Sequence, residues 1–194
     1  MNANDGFNRA EDLPVVWMTG LPGAGKSTIA RALQAALLDE GAKVVVLDGD
    51  TLREGLCSDL GFSDADRIEN VRRIAHVARL FQQSGHLVVV ATISPLAVQR
   101  ELAREIIGGG FLETFISASA EVCAQRDPKG MYAQARLGKI AGFTGVSSPY
   151  EAPVNPDLVI ETARSRVESA VATIVLRLGK SVRAAVAQTG ARNS

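Results

Sequence analysis

The chain has 194 residues, 46% of them hydrophobic and 22% charged, which is enough for one sizeable core and suits a single globular domain. Lysine plus arginine and aspartate plus glutamate balance at 21 each, which excludes the general basic field that holds nucleic acid or an anionic membrane surface. The two cysteines, Cys57 and Cys123, lack CxxC spacing and read as free buried thiols in a reducing, cytoplasmic location, with a regulatory disulfide as the alternative.

The opening MNANDGFNRAEDLP has no basic start followed by an apolar run, and no later apolar stretch reaches the length of a membrane span. Residues 1–13 and 181–194 are expected to be tails flanking one domain over 14–180. Val15 to Thr19 is a short apolar run that stops at glycine. A helical pattern follows from Lys26 to about Glu40, with Ile29, Leu33 and Leu37 on one face. Lys43 to Leu47 and Leu87 to Thr92 are β-branched and apolar on both faces, as strands of a covered parallel sheet are. Between them Ser63 can cap a long helix with Asp66 at its third position. Ile68, Val71, Ile74, Ala75, Ala78 and Phe81 would form its core stripe. Pro95 to Ile107 reads as a helix, Leu112 to Ile116 and Leu158 to Glu161 as strands, and Arg166 to Leu178 as a closing helix. Strands alternating with helices predict an α/β fold with a five-stranded parallel sheet, whose ligands sit at the carboxyl ends of the strands.

At the end of the first strand stand Gly20, Leu21, Pro22, Gly23, Ala24, Gly25, Lys26 and Ser27, followed by Thr28, matching G-x-x-x-x-G-K-[ST] in its strand-to-helix setting. The glycines let the backbone wrap phosphate oxygens, the helix N-terminus supplies positive potential, Lys26 reaches the outer phosphates, and Ser27 can ligate Mg²⁺. The third strand ends in Thr92, Ile93, Ser94 and Pro95 without the carboxylate usual in motors and switches, and no NKxD-type guanine reader follows, so ATP is favoured over GTP. The acids instead follow the second strand, as Asp48 and Asp50. Carboxylates there suit a small-molecule kinase, in which Asp50 holds Mg²⁺ through water and orients the attacking hydroxyl; a helix cap is the plainer alternative.

The segment AGFTGVSSPYEAP, residues 141–153, is neither helical nor alternating, and a long irregular stretch inside a compact domain calls for a ligand. With it come Arg53, Phe62 in DLGFS, and Arg67 and Asn70, which share a helix face. GLPGAGKST, LDGD followed by Arg53, DLGFS, ADRIEN, ISP, QRDPKG and GFTGVSSPYEAP together resemble the adenylylsulfate kinase family over about Trp17 to Thr162.

That resemblance implies a nucleoside-kinase-like, three-layer P-loop fold with a mobile lid at about 126–153. It further implies ATP-dependent phosphorylation of the ribose 3′-hydroxyl of adenosine 5′-phosphosulfate, in sulfate assimilation, by a homodimer. By the same likeness Phe62 and Phe143 sandwich the acceptor adenine, a contact that stacking chemistry supports. Arg53, Arg67 and Asn70 hold phosphosulfate and ribose, and Asp48, Ile93, Lys129, Gly130 and Thr144 complete the acceptor site, with Lys129 in the lid. Arg126 lies against the donor adenine. Ser94 reads as a hydroxyl that hydrogen-bonds the acceptor, with a phosphoserine intermediate as the alternative. The chain departs from the family pattern at Thr51, Glu54, Ala91 and Thr92, none of them a proposed charged or stacking residue. His76 and His86 carry no catalytic argument and read as structural or surface residues. A non-catalytic nucleotide-binding module, or a kinase for another small metabolite, are the competing readings.

Overall fold

The computed structural model describes residues 13–190, with side chains described through Gly179. Twelve elements follow in chain order: β1 (Val15–Thr19), α1 (Lys26–Asp39), β2 (Val44–Asp48), α2 (Gly49–Arg53), α3 (Asp64–Gln83) and β3 (Leu87–Ala91), then α4 (Ala97–Ile107), β4 (Phe111–Ser117), α5 (Ala120–Arg126), α6 (Met131–Arg136), β5 (Leu158–Glu161) and α7 (Val167–Gly190). All strand pairs are parallel, in the order β2-β3-β1-β4-β5.

The two-residue period of a strand splits the core into two halves. Val16 and Met18 of β1 face Ile29, Leu33 and Leu37 of α1 and Ile174 of α7. Val15 and Trp17 face Val71, Ile74 and Ala78 of α3 and Ala103 of α4. A helix layer on each face of the sheet makes the three-layer α/β fold that the strand–helix alternation predicts, and it places the loops after β1, β2 and β3 along one carboxyl edge.

Several boundaries depart from the sequence reading for identifiable reasons. β2 is an edge strand, so Val45 and Val46 are only half-buried. Ile68 lies outside the α3 core stripe and is exposed, while Ser63 caps α3 by accepting from the Asp66 amide. The short helices α2, α5 and α6 have no apolar stripe long enough to announce them. The helical run continues past Leu178 to Gly190, across a break at Gly179 (φ 40°), so the expected tail at 181–194 begins as helix. Residues 1–12 and 191–194 of the expected tails lie outside the described residues. Leu13, assigned to the first tail, is buried in the core instead.

Gln82 explains that last point. Its amide is buried and donates to the carbonyls of Leu13 (2.6 Å) and Gly109 (2.8 Å), stitching the entry of β1 and the turn before β4 to the end of α3. Gln82→Ala would leave these carbonyls without their donor, and a loss of about 2 kcal/mol in urea unfolding is expected.

Candidate active site

The loop between β1 and α1 is held close by contacts that exclude side chains. A Cβ on Gly20 would meet the Ile116 carbonyl oxygen at 2.4 Å, so only glycine lets the loop leave the sheet here. No side chain caps α1, and Lys26, Ser27 and Thr28 of its first turn line a cavity of about 970 Å³. Uncapped first-turn amides with the helix dipole behind them favour an anion. Lys26 is 9% exposed and donates to the carbonyls of Gly20 (2.8 Å) and Leu21 (2.9 Å). Burial pulls its pKa down to about 8, against the opposing attraction of Asp50 and Asp48.

Asp48 caps α2 by accepting from the Asp50 amide (3.0 Å), which turns Asp50 outward at the cavity wall. Lys129 donates to the Asp50 carboxylate at 2.6 Å, and both are exposed. Exposed pairs contribute little to stability, so this contact is readily exchanged for one with a ligand. Gly130 sits behind Lys129 as the left-handed N-cap of α6. Arg126 donates to the Thr162 carbonyl (2.7 Å) and hydroxyl (3.0 Å), which fixes its guanidinium at the cavity beside the loop.

The irregular segment is a knot rather than an open strap. The Val146, Ser147 and Ser148 amides all donate to the Phe143 carbonyl, at 2.9 to 3.1 Å, and the Ser147 hydroxyl accepts from the Phe143 amide. Phe143 is 5% exposed and sits edge-on to Tyr132, with 5.0 Å between ring centroids. Phe62, by contrast, is 61% exposed, with the Arg53 guanidinium 4.4 Å from its ring centroid. Arg67 joins the two loops: it donates through Nε to the Phe62 carbonyl (2.9 Å), through Nη2 to the Gly142 carbonyl (2.6 Å) and through Nη1 to the Thr144 hydroxyl (3.2 Å). The sequence reading gave Arg67 to the ligand alone; the fold also uses it to tie the aromatic loops together. Arg53 is likewise shared, donating to the Leu60 and Gly61 carbonyls.

Both aromatics, Arg53, Arg67, Asn70, Ile93, Ser94, Lys129 and Thr144 line the same cavity as Pro22, Gly23, Gly25 and Lys26. Gly20, Leu21, Ala24 and Gly130 do not line it and form its frame.

A sequence profile of the family described as Adenylylsulphate kinase matches residues 13–161. The chain belongs to this family. An adenylyl-sulfate kinase of Paraburkholderia xenovorans is 56% identical over 164 residues, 84% of this chain and 92% of its own length. An adenylyl-sulfate kinase of Prochlorococcus marinus is 50% identical over 165 residues, covering 84% of this chain and 82% of the relative. Among solved structures, the APS kinase of Mycobacterium tuberculosis in complex with AMPPNP and APS aligns with a TM-score of 0.82 at 49% identity, over 86% of this chain and 97% of that one. A Sinorhizobium meliloti gluconokinase, 18% identical with a TM-score of 0.56, shares the fold.

Against this family frame, two tyrosines emerge that the sequence reading gave no role. Tyr132 of α6 donates its hydroxyl to the Pro22 carbonyl (3.0 Å), joining α6 to the phosphate loop. Tyr150 bonds Thr19 at 3.0 Å. Since the Thr19 hydroxyl donates to the Ile93 carbonyl at 2.6 Å, Tyr150 must be the donor to Thr19. Burial pushes the Tyr150 pKa up to about 12. The Glu151 carboxylate accepts from the Ala97 amide (2.6 Å) and thereby caps α4 from a distant segment. Tyr150 and Glu151 could have been singled out only by their position in the motif, and Tyr132 lies in no motif at all, because their partners lie 54 to 131 residues away.

Proposed function

We propose that this protein transfers the terminal phosphoryl group of ATP to the ribose 3′-hydroxyl of adenosine 5′-phosphosulfate, giving 3′-phosphoadenylyl sulfate and ADP. The observation that carries the reading is a single cavity lined at once by an uncapped P-loop helix with Lys26 and by the Phe62 and Phe143 loops. One ligand chemistry is a triphosphate; the other is a purine nucleoside bearing an anion, for which Arg53 and Arg67 supply guanidinium groups.

Lys26 neutralises charge on the transferring group, and Asp50 orients the 3′-hydroxyl and accepts its proton. Arg126 borders the donor adenine, and Lys129 closes over the acceptor as its pairing with Asp50 is exchanged. A closed lid keeps out water that would compete for the phosphoryl group. Ser27 and Asp50 offer oxygen donors only, which fits Mg²⁺, a hard ion that retains several waters. Bound there, Mg²⁺ would offset charge on the outer phosphates. A homodimer is carried over from the family resemblance, and light scattering of the purified chain tests it. A cytoplasmic location accords with two buried free thiols and with no described helix being long and apolar enough to cross a membrane.

Purified protein with MgATP and adenylyl sulfate is expected to release ADP, while AMP, gluconate or shikimate does not replace the sulfated nucleotide. Equal turnover of any of these would move the assignment to another metabolite kinase. ATP binding without acceptor-dependent ADP release would leave a non-catalytic module.

The depressed pKa of Lys26 gives a second test. Near pH 8 the free protein holds this lysine about half protonated, and a bound triphosphate favours its charged form. Nucleotide binding at pH 8 is therefore expected to take up about half a proton, falling towards none at pH 6, where the lysine is already charged. Affinity should weaken as pH rises through 8. Calorimetry in buffers of different ionisation enthalpy measures the uptake, and Lys26→Met should abolish it.

A further inference from the structure

Ser94 has a clearly positive φ (36°), which among the described non-glycine residues only Asp127 (φ 20°) shares in sign, and it is 2% exposed at the carboxyl end of β3. Backbone in this region persists only where surrounding groups over-determine it, and such positions cluster at functional sites. Here the groups are identifiable. The Trp17 indole Nε1 donates to Ser94 Oγ at 3.1 Å, and Arg100 Nη1 donates to the Ser94 carbonyl at 3.0 Å. Arg100 is itself buried and anchored by Nε to Glu113 at 2.8 Å. Thr19 holds the Ile93 carbonyl, and the Glu151 amide donates to the Pro95 carbonyl at 2.8 Å. The turn is thus gripped from β1, β4, α4 and the end of the irregular segment.

An indole N–H can donate but cannot accept. Ser94 Oγ must therefore receive the Trp17 bond, and its own O–H is left to point elsewhere. Because Ser94 lines the cavity, the remaining direction open to it is the ligand. We propose that Trp17 is a positioning residue: its indole N–H locks the Ser94 hydroxyl as a hydrogen-bond donor aimed at an oxygen of the bound acceptor. The proposal rests on the cavity binding adenylyl sulfate. It also bears on the phosphoserine alternative. No carboxylate or imidazole bonds to Ser94 Oγ among the described residues, so the hydroxyl has a donor beside it where a nucleophile would need a base. The acceptor oxygen then attacks the terminal phosphorus of ATP directly, with the bond to ADP breaking and no enzyme ester between.

Trp17 is the single tryptophan of the chain, so its emission reports this one hydrogen bond. Trp17→Phe keeps a ring beside Phe111, whose centroid lies 5.8 Å from that of the indole, and removes only the N–H and some volume. Wild type, Trp17→Phe, Ser94→Ala and the double variant would be compared for KM and kcat with each nucleotide. Trp17→Phe should raise the acceptor KM about three- to tenfold, the size of one lost hydrogen bond, leaving the ATP KM and kcat within about twofold. Ser94→Ala should do the same, and adding Trp17→Phe to it should change nothing further. Ser94→Ala alone should also shift tryptophan emission to shorter wavelength, a readout that needs no turnover. An unchanged acceptor KM in Trp17→Phe, independent multiplication of the two effects, or unaltered emission in Ser94→Ala would each overturn the role. So would transfer of labelled phosphate from ATP to Ser94 in the absence of acceptor. A wild type that turned over no adenylyl sulfate would instead overturn the functional reading itself, and the Trp17 role with it.

Discussion

Lys26→Ala is expected to lower acceptor-dependent ADP release by about 10²–10³-fold, the usual consequence of removing one preorganised donor from a developing charge. The side chain is not a loose surface lysine. It is buried, its ammonium group is fixed at 2.8 and 2.9 Å from two loop carbonyls, and burial has already lowered its affinity for a proton. A charge held this way is costly to keep in the folded protein. The alanine variant should therefore unfold at the same denaturant concentration as wild type, or a higher one. Lys26→Arg should not restore the rate, because a planar fork does not fit a slot shaped around a point charge. Activity within tenfold of wild type for the alanine variant would remove Lys26 from the transfer step.

Phe143→Ala carries the second large effect, and the structure alters what it should look like. A ring serving only the acceptor would cost affinity alone. Phe143, however, is 5% exposed and packs edge-on against Tyr132 as part of the main core. Truncating a phenylalanine in that setting costs about 3–5 kcal/mol, read as a lowered urea midpoint. Loss of stacking on the acceptor base should weaken its binding by a further, separate amount of about 1–3 kcal/mol. Phe143→Leu divides the two, since leucine refills much of the space without offering an aromatic face. It should recover most of the stability and little of the acceptor affinity. An unchanged acceptor KM in the leucine variant would contradict the stacking role.

The two variants differ in how much of their behaviour the sequence disclosed. For Lys26 the phosphate-loop motif contained nearly the whole argument, because a glycine-rich turn between strand and helix is built from consecutive residues. For Phe143 the motif supplied the residue and the family resemblance supplied the ligand. That the ring is buried against Tyr132, and that three amides close on its carbonyl, depended on how a segment without periodicity folds onto its neighbours. Arg67 shows the same division. A guanidinium near an anionic ligand was legible from its place on α3, but its three bonds to the Phe62, Gly142 and Thr144 positions join segments up to 77 residues apart.

Periodicity and local motifs sufficed for the parallel α/β architecture and the phosphate loop, because strands, helix faces and tight turns obey rules that act over a few neighbouring positions; the acceptor-side residues were named only through the family resemblance. Strand order, the left-handed Ser94 turn with its indole donor, the tie of α6 to the phosphate loop by Tyr132 and that of the irregular segment to the end of β1 by Tyr150 were decided by tertiary structure alone. Each depends on directional bonds and close packing between residues far apart in the chain, and such contacts exist only once the sheet has brought its strand ends to a common edge.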